Sequence, residues 1–205
     1  MIDFLYYKSH ADTVGIVDCI DTAWPKVYNF TMNSPVLKVL VPRETIEVTV
    51  NRLAGEITRD YHGKNPVLLG ILKGSFMFMA DLVRKLDFPL EIDYVRCSSY
   101  ENRRHTSGKV KLAPGLRTNI KGRHVLVVED IVDTGITVGF LKAYLEKKKP
   151  ATLKFCTLAD KPSRRVAPLA LDYIGLTVPD KFIVGYGMDD GEKYRNLPDI
   201  FYLED

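Results

Sequence analysis

Cysteine is scarce in this 205-residue chain: Cys19, Cys97 and Cys156 are odd in number and lack the spacing of metal ligands. They point away from a disulfide framework and towards reduced thiols, with Cys156 inside an apolar stretch, so a cytoplasmic setting is expected. Long apolar runs are missing too. None approaches the roughly 20 residues of a membrane-crossing helix, and the N-terminus lacks a basic segment leading into an unbroken apolar core. An excess of one charge is also absent, since 29 Lys and Arg face 26 Asp and Glu. A net charge of +3 argues against nucleic acid as the partner, although a local basic patch stays compatible with it. There is no internal repeat and no linker-like segment, so the chain has one substantial core with room for appendages.

The stretch 125–137 carries the most information. Val125, Leu126, Val127 and Val128 read as a buried strand that runs into Glu129, Asp130 and Asp133, then into Thr134, Gly135, Ile136 and Thr137. Val138, Leu141 and Leu145 follow at helical spacing, and Pro150 ends the run. A strand, a loop of small residues and a helix N-terminus make an anion trap, because the first backbone N–H groups of a helix lack partners within it. Three carboxylates in five residues complicate that trap. At roughly 6 Å and an effective dielectric of about 20, each like-charge pair costs on the order of 3 kcal/mol, falling below about 1 in open water. Either the acids are a solvated turn, or something cationic relieves them. A ligand carrying phosphate, sugar hydroxyls and Mg²⁺ together would reconcile acids with a phosphate.

The rest of the chain alternates strand and helix signals. Ile46, Val50, Leu53, Ile57 and Tyr61 predict an amphipathic helix over 43–61. Residues 67–72 are continuously apolar, as in a parallel strand covered on both faces. Lys73, Gly74 and Ser75 follow, then helical spacing over 76–86. A strand is expected over 91–99. Residues 100–111, with Arg103, Arg104, His105, Gly108 and Lys109, cannot bury a face and are expected to be mobile, with a short return strand over 112–119. Further strands are expected over 152–158, 173–176 and 182–186. The pattern predicts an α/β fold, a mainly parallel central sheet flanked by helices with a small hood, and ligands at the carboxyl ends of the strands. Residues 1–35 scatter Tyr6, Tyr7, Trp24, Tyr28 and Phe30 among polar residues with no period. They read as an N-terminal extension, ordered or loose, ahead of a domain over 36–205, and one account of them is an upstream start.

The run Glu129-Asp130-Ile131-Val132-Asp133-Thr134-Gly135 resembles the 5-phosphoribosyl 1-diphosphate (PRPP) motif of type I phosphoribosyltransferases. Over residues 36–203 the surroundings resemble the hypoxanthine-guanine phosphoribosyltransferases. That resemblance implies the type I phosphoribosyltransferase fold, a homodimer or homotetramer, and Mg²⁺-dependent purine salvage making IMP or GMP from hypoxanthine or guanine and PRPP. It also implies roles for particular residues. Thr134, Gly135, Ile136 and Thr137 would hold the 5′-phosphate. Glu129 and Asp130 would hold the ribose hydroxyls and, with Asp189, the metal. Asp133 would accept the proton of purine N7, although a carboxylate there could equally face positive charge growing on C1′.

Lys73 and Gly74, otherwise a solvated turn, resemble the loop that holds the diphosphate, with a non-proline cis peptide implied between Leu72 and Lys73; Arg195 would hold the same group. Lys161 would read the 6-oxo group, because an ammonium donates and cannot accept from a 6-amino group. Phe182, otherwise a core residue, would stack on the base, with Ile183 adding backbone groups. Ser99 and Tyr100 would belong to a flap that excludes water. Ser98, Ile136 and Asp190 depart from residues common in the family. Two alternatives stand beside this reading: a xanthine-preferring relative, and a regulator that binds PRPP or RNA without turnover, for which Arg103, Arg104, Lys109 and Lys111 would be the basic patch.

Overall fold

The structure is a computed structural model and describes residues 36–102, 105–112, 116–166 and 168–204. The expected extension over 1–35, with Cys19, lies outside the described residues, as do Arg103 and Arg104. Five parallel strands form the centre: β2 (Val67–Leu72), β3 (Glu91–Asn102), β5 (His124–Val132), β6 (Thr152–Asp160) and β7 (Tyr173–Thr177). They lie in the order β3-β2-β5-β6-β7, and β4 (His105–Leu112) adds an antiparallel edge beside β3.

The continuous apolar strands are explained by cover on both faces. Successive side chains of a strand point to opposite sides, so Leu68, Leu126 and Val128 meet helices α1 (Arg43–Tyr61) and α2 (Phe76–Val83). Val67, Leu69, Ile71, Val125 and Val127 instead meet α3 (Ile136–Glu146) through Val138, Leu141 and Leu145. Helix α1 turns Ile46, Val50, Leu53, Ile57 and Tyr61 inward, the residues that its period singled out. Burying a side chain of this size contributes about 1.5–3 kcal/mol, which is why so even a pattern is a dependable guide.

The hood is a second, antiparallel sheet in the order β1-β9-β8, made of β1 (Leu37–Val41), β9 (Ile200–Leu203) and β8 (Ile183–Val184). Both chain ends of the described domain therefore meet in it, through pairs such as Leu37 with Leu203. Strands β1 and β9 were not anticipated; they are short, and their pairing joins segments far apart in sequence.

Three expected boundaries need correction. The return strand is His105–Leu112, not 112–119, so much of 100–111 pairs along β3. A ribbon of this kind is held by backbone hydrogen bonds and needs no apolar face, which is why composition misread it. The strand expected over 182–186 shrinks to two residues because Gly185 turns the chain with φ 95°. Helical spacing ran on to Leu86, but α2 stops at Val83. Among the described residues, no helix is long and apolar enough to cross a membrane.

Candidate active site

The parallel strands deliver their following loops to one end of the sheet. Gly70 of β2 stands opposite Val128 of β5, so two residues on, the end of β2 is level with Asp130. Val132 pairs with Asp160, which pairs with Thr177, and the loops after β5, β6 and β7 emerge together. Lys73, Asp133 and Lys161 all follow directly from these strand ends.

The loop after β2 and the end of β5 are in contact. A Cβ placed on Gly74 would fall 1.7 Å from Asp130 Oδ2, so only glycine lets the backbone lie against that carboxylate. The Leu72–Lys73 peptide is cis, as the resemblance implied. Ser75 is buried and donates its hydroxyl to Ile71 O at 2.7 Å, which ties the turn to its own strand.

Glu129 and Asp130 occupy a shielded position. Glu129 Oε2 is buried with no hydrogen-bond partner. Burial, then the neighbouring Asp130, raises the Glu129 carboxyl well above its ordinary range. Burial also raises Asp130, to about 6, against backbone hydrogen bonds and Arg195, which favour its charge. The two acids are thus not a solvated turn. Burial and the like charge beside them disfavour the ionised form of both carboxyls, so the site is poised for a cation or a hydrogen-bond donor.

Asp133 is held differently. Its Oδ1 accepts from Arg164 Nε at 3.2 Å, and its backbone carbonyl accepts from Arg165 Nη1 at 2.9 Å. Arg165 in turn pairs with buried Asp160, and Arg164 approaches Asp180 at 3.8 Å. Sequence reasoning missed this arginine pair; two adjacent arginines just after Lys161 were the signal available. Beyond Asp133, Gly135 takes a left-handed φ of 83° and starts α3 without a side-chain cap, while Ile136 N reaches Thr134 Oγ1 at 3.4 Å. The first amide of α3 thus lies beside the Thr134 hydroxyl, with Thr137 in the first turn of the helix.

On the other side, Lys161 is 6 % exposed, and its ammonium donates to Lys181 O at 2.8 Å. That bond fixes the side chain and leaves further protons to donate. Phe182 is 55 % exposed, so its ring is not core, and Ile183 beside it is buried in β8. Lys161 and Phe182 are brought together through the Lys181 carbonyl.

Asp189 and Arg195 form a third group. Asp189 Oδ1 meets Arg195 Nη2 at 2.7 Å, and Arg195 Nη1 donates to Gly187 O at 2.8 Å. Gly187 packs against the loop after β2, since a Cβ there would lie 2.0 Å from Gly74 O. Lys73 Nζ meets Glu192 at 2.9 Å, a partner that sequence reasoning did not single out. Asp190, one of the departures, is paired through its backbone with Lys193. Ser98, Ser99 and Tyr100 lie in the outer part of β3, with their side chains outside what is described.

Residues 40–191 match the phosphoribosyl transferase domain family. The chain is 44% identical over 174 residues to the hypoxanthine-guanine phosphoribosyltransferase of Streptococcus pneumoniae, covering 85% of this chain and 97% of that one. It is 46% identical over 169 residues to the hypoxanthine-guanine-xanthine phosphoribosyltransferase of Tritrichomonas foetus, covering 82% and 92%. A crystal structure of a hypoxanthine-guanine phosphoribosyltransferase from Bacillus anthracis, with HEPES in its active site, superposes with a TM-score of 0.78 at 47% identity, covering 83% of this chain and 100% of that one.

Proposed function

The chain belongs to the phosphoribosyl transferase family, in its hypoxanthine-guanine branch, and from that premise we propose how its residues divide the work of purine salvage. The reaction joins hypoxanthine or guanine to PRPP and yields IMP or GMP and diphosphate. The observation that carries the assignment is the contact of Gly74 with Asp130, because it brings the loop after β2 against the acid pair at the end of β5, as the proposed division between diphosphate and ribose requires.

As the purine nitrogen bonds to C1′ and the C1′–O bond to diphosphate breaks, positive charge grows on the ribose and negative charge on the departing oxygen. Glu129 and Asp130 accept hydrogen bonds from the ribose hydroxyls, which supplies the partner that Glu129 Oε2 lacks. Thr134, Gly135, Ile136 and Thr137 hold the 5′-phosphate with hydroxyls and the first amides of α3. Asp133, steered by Arg164 at 3.2 Å, accepts the proton released from purine N7. Lys161 donates to the 6-oxo group, Phe182 stacks on the ring, and Ile183 adds backbone groups at the base edge. Lys73 and Arg195 take the diphosphate. Ser99 and Tyr100 belong to the ribbon that closes over C1′ and keeps water from competing with the purine.

The donor set also fits Mg²⁺. Glu129, Asp130 and Asp189 offer hard carboxylate oxygens, one of them partnerless. Among the described residues, no three His, Cys, Asp or Glu side chains converge to hold an ion by themselves. An ion held here would therefore need waters and substrate oxygens to complete its shell, as Mg²⁺ commonly does. When bound, it would neutralise charge on the leaving diphosphate.

A spectrophotometric assay of each free base with PRPP and Mg²⁺ tests the reading; no product from any 6-oxopurine would sink it. Competition among hypoxanthine, guanine and xanthine decides the base preference, which the Tritrichomonas relative's name and the Asp189-Asp190 pair keep open. The relatives named above are transferases, which favours turnover over a PRPP- or RNA-binding regulator. Cys97 and Cys156 are free thiols, in keeping with a cytoplasmic enzyme, and assembly into a homodimer or homotetramer is checked by light scattering.

A further inference from the structure

Lys73 and Arg195 come from opposite ends of the domain sequence, yet one side chain bridges them. Glu192 Oε1 lies 2.9 Å from Lys73 Nζ, and Glu192 Oε2 lies 3.2 Å from Arg195 Nη2. The chain holds Glu192 there by an unusual backbone. Asp190 and Lys193 exchange both backbone hydrogen bonds, at 3.2 and 3.1 Å, so Gly191 and Glu192 form a two-residue hairpin tip. The type I′ form of such a tip needs positive φ at both positions, and Gly191 and Glu192 have 56° and 69°. Glycine adopts this freely, whereas glutamate does so at a cost. The Glu192 amide also donates to Asp189 Oδ2 at 2.8 Å, which anchors the tip to the residue that holds Arg195. A strained residue at an exposed tip, with both carboxylate oxygens on cations, is not explained by packing.

We propose that Glu192 is a positioning residue that stands in for the diphosphate: its carboxylate bridges Lys73 and Arg195 when no diphosphate is bound, is displaced when one binds, and competes to expel it afterwards. The inference rests on the assignment of Lys73 and Arg195 to the diphosphate. A single carboxylate is a suitable stand-in, because it keeps two cations from repelling each other and is outcompeted by an anion of several charges. Arg195 would stay placed without it, since Asp189 and Gly187 O hold the guanidinium independently. The residue that Glu192 governs is therefore Lys73.

The test is calorimetric titration of the full chain with inorganic diphosphate and Mg²⁺, beside diphosphate product inhibition. Glu192→Gln removes the charge and keeps the backbone strain. It should tighten diphosphate about threefold to tenfold, the range expected when exposed ion pairs no longer compete, and leave KM for the purine unchanged. Glu192→Gly should tighten it to a similar extent, which separates charge from strain. Lys73→Met serves as the reference. If it binds diphosphate as well as the native chain, the assignment of Lys73 fails and takes this inference with it. If Lys73→Met loses affinity while Glu192→Gln matches the native chain, the inference alone is overturned.

Discussion

Replacing Gly74 with alanine tests the contact on which the site is built. The added methyl carbon would stand 1.7 Å from Asp130 Oδ2 and 2.5 Å from its Cγ, where ordinary contact begins at 3.4 Å. Something must therefore move by more than an ångström. The loop has little room to yield, because Gly74 O already lies 2.0 Å from where a Cβ on Gly187 would be. The Asp130 carboxylate must then retreat, away from the backbone hydrogen bonds that favour its charge. Overpacking of this kind costs about 1–3 kcal/mol, which for a domain of this size lowers Tm by roughly 2 to 12 °C. Activity should suffer more, since a displacement of about 1 Å in a positioned group can cost on the order of 100-fold. Initial rates at saturating hypoxanthine and varied PRPP, read beside a thermal melt, measure both. Gly139→Ala is the control, because nothing lies within 4 Å of its added carbon and alanine is the better residue within a helix, by about 0.5–1 kcal/mol. A Gly74→Ala enzyme with native Tm and kcat/KM within about twofold of the native value would refute the contact.

Other outcomes follow from the same geometry. Burial raises Asp130 from 3.8 to about 6, so its contribution to stability is fully present below its unfolded value and is lost as pH rises through about 6. Asp130→Asn should therefore be more stable than the native chain at pH 7.5, by about 3 kcal/mol at most, and equal to it below about pH 4, while losing activity. Urea melts at the two pH values check the sign. Lys161→Ala should lower kcat/KM for hypoxanthine by roughly 10- to 150-fold, the worth of a hydrogen bond from a charged donor, with adenine much less affected; an unchanged preference would contradict the role of Lys161. Arg165→Met leaves buried Asp160 without its cation and frees the Asp133 carbonyl. A loss of about 3–5 kcal/mol in a urea melt is expected, and a loss below about 1 would show that the pair is not closed off from solvent.

Much of the sheet was legible because burial on both faces demands unbroken apolar runs, as in Val67 to Leu72 and Val125 to Val128. Helix α1 was legible to the residue because its period is even. The hood strands Leu37–Val41 and Ile200–Leu203 were not, because they stabilise each other across the length of the domain and neither is a strong strand alone. The outer end of β3 beyond Ser99 and most of β4 were read as loop for a related reason: their backbone pairing leaves no mark in hydropathy.

The chemistry divides along the same line. The run from Glu129 to Thr137 states its own purpose, since local spacing decides that three acids precede a small-residue turn and a helix start. Nothing local says that Glu129 Oε2 lacks a partner, that Gly74 rests on Asp130, or that Glu192 joins Lys73 to Arg195. Those facts depend on which segments are neighbours in space, as where β2 pairs with β5 through the backbone while helices α1, α2 and α3 cover the two faces. Sequence thus determined which groups this protein possesses. Tertiary structure decided which of them are buried, charged and within reach of one another, because burial and distance set the strength of every electrostatic interaction in the site.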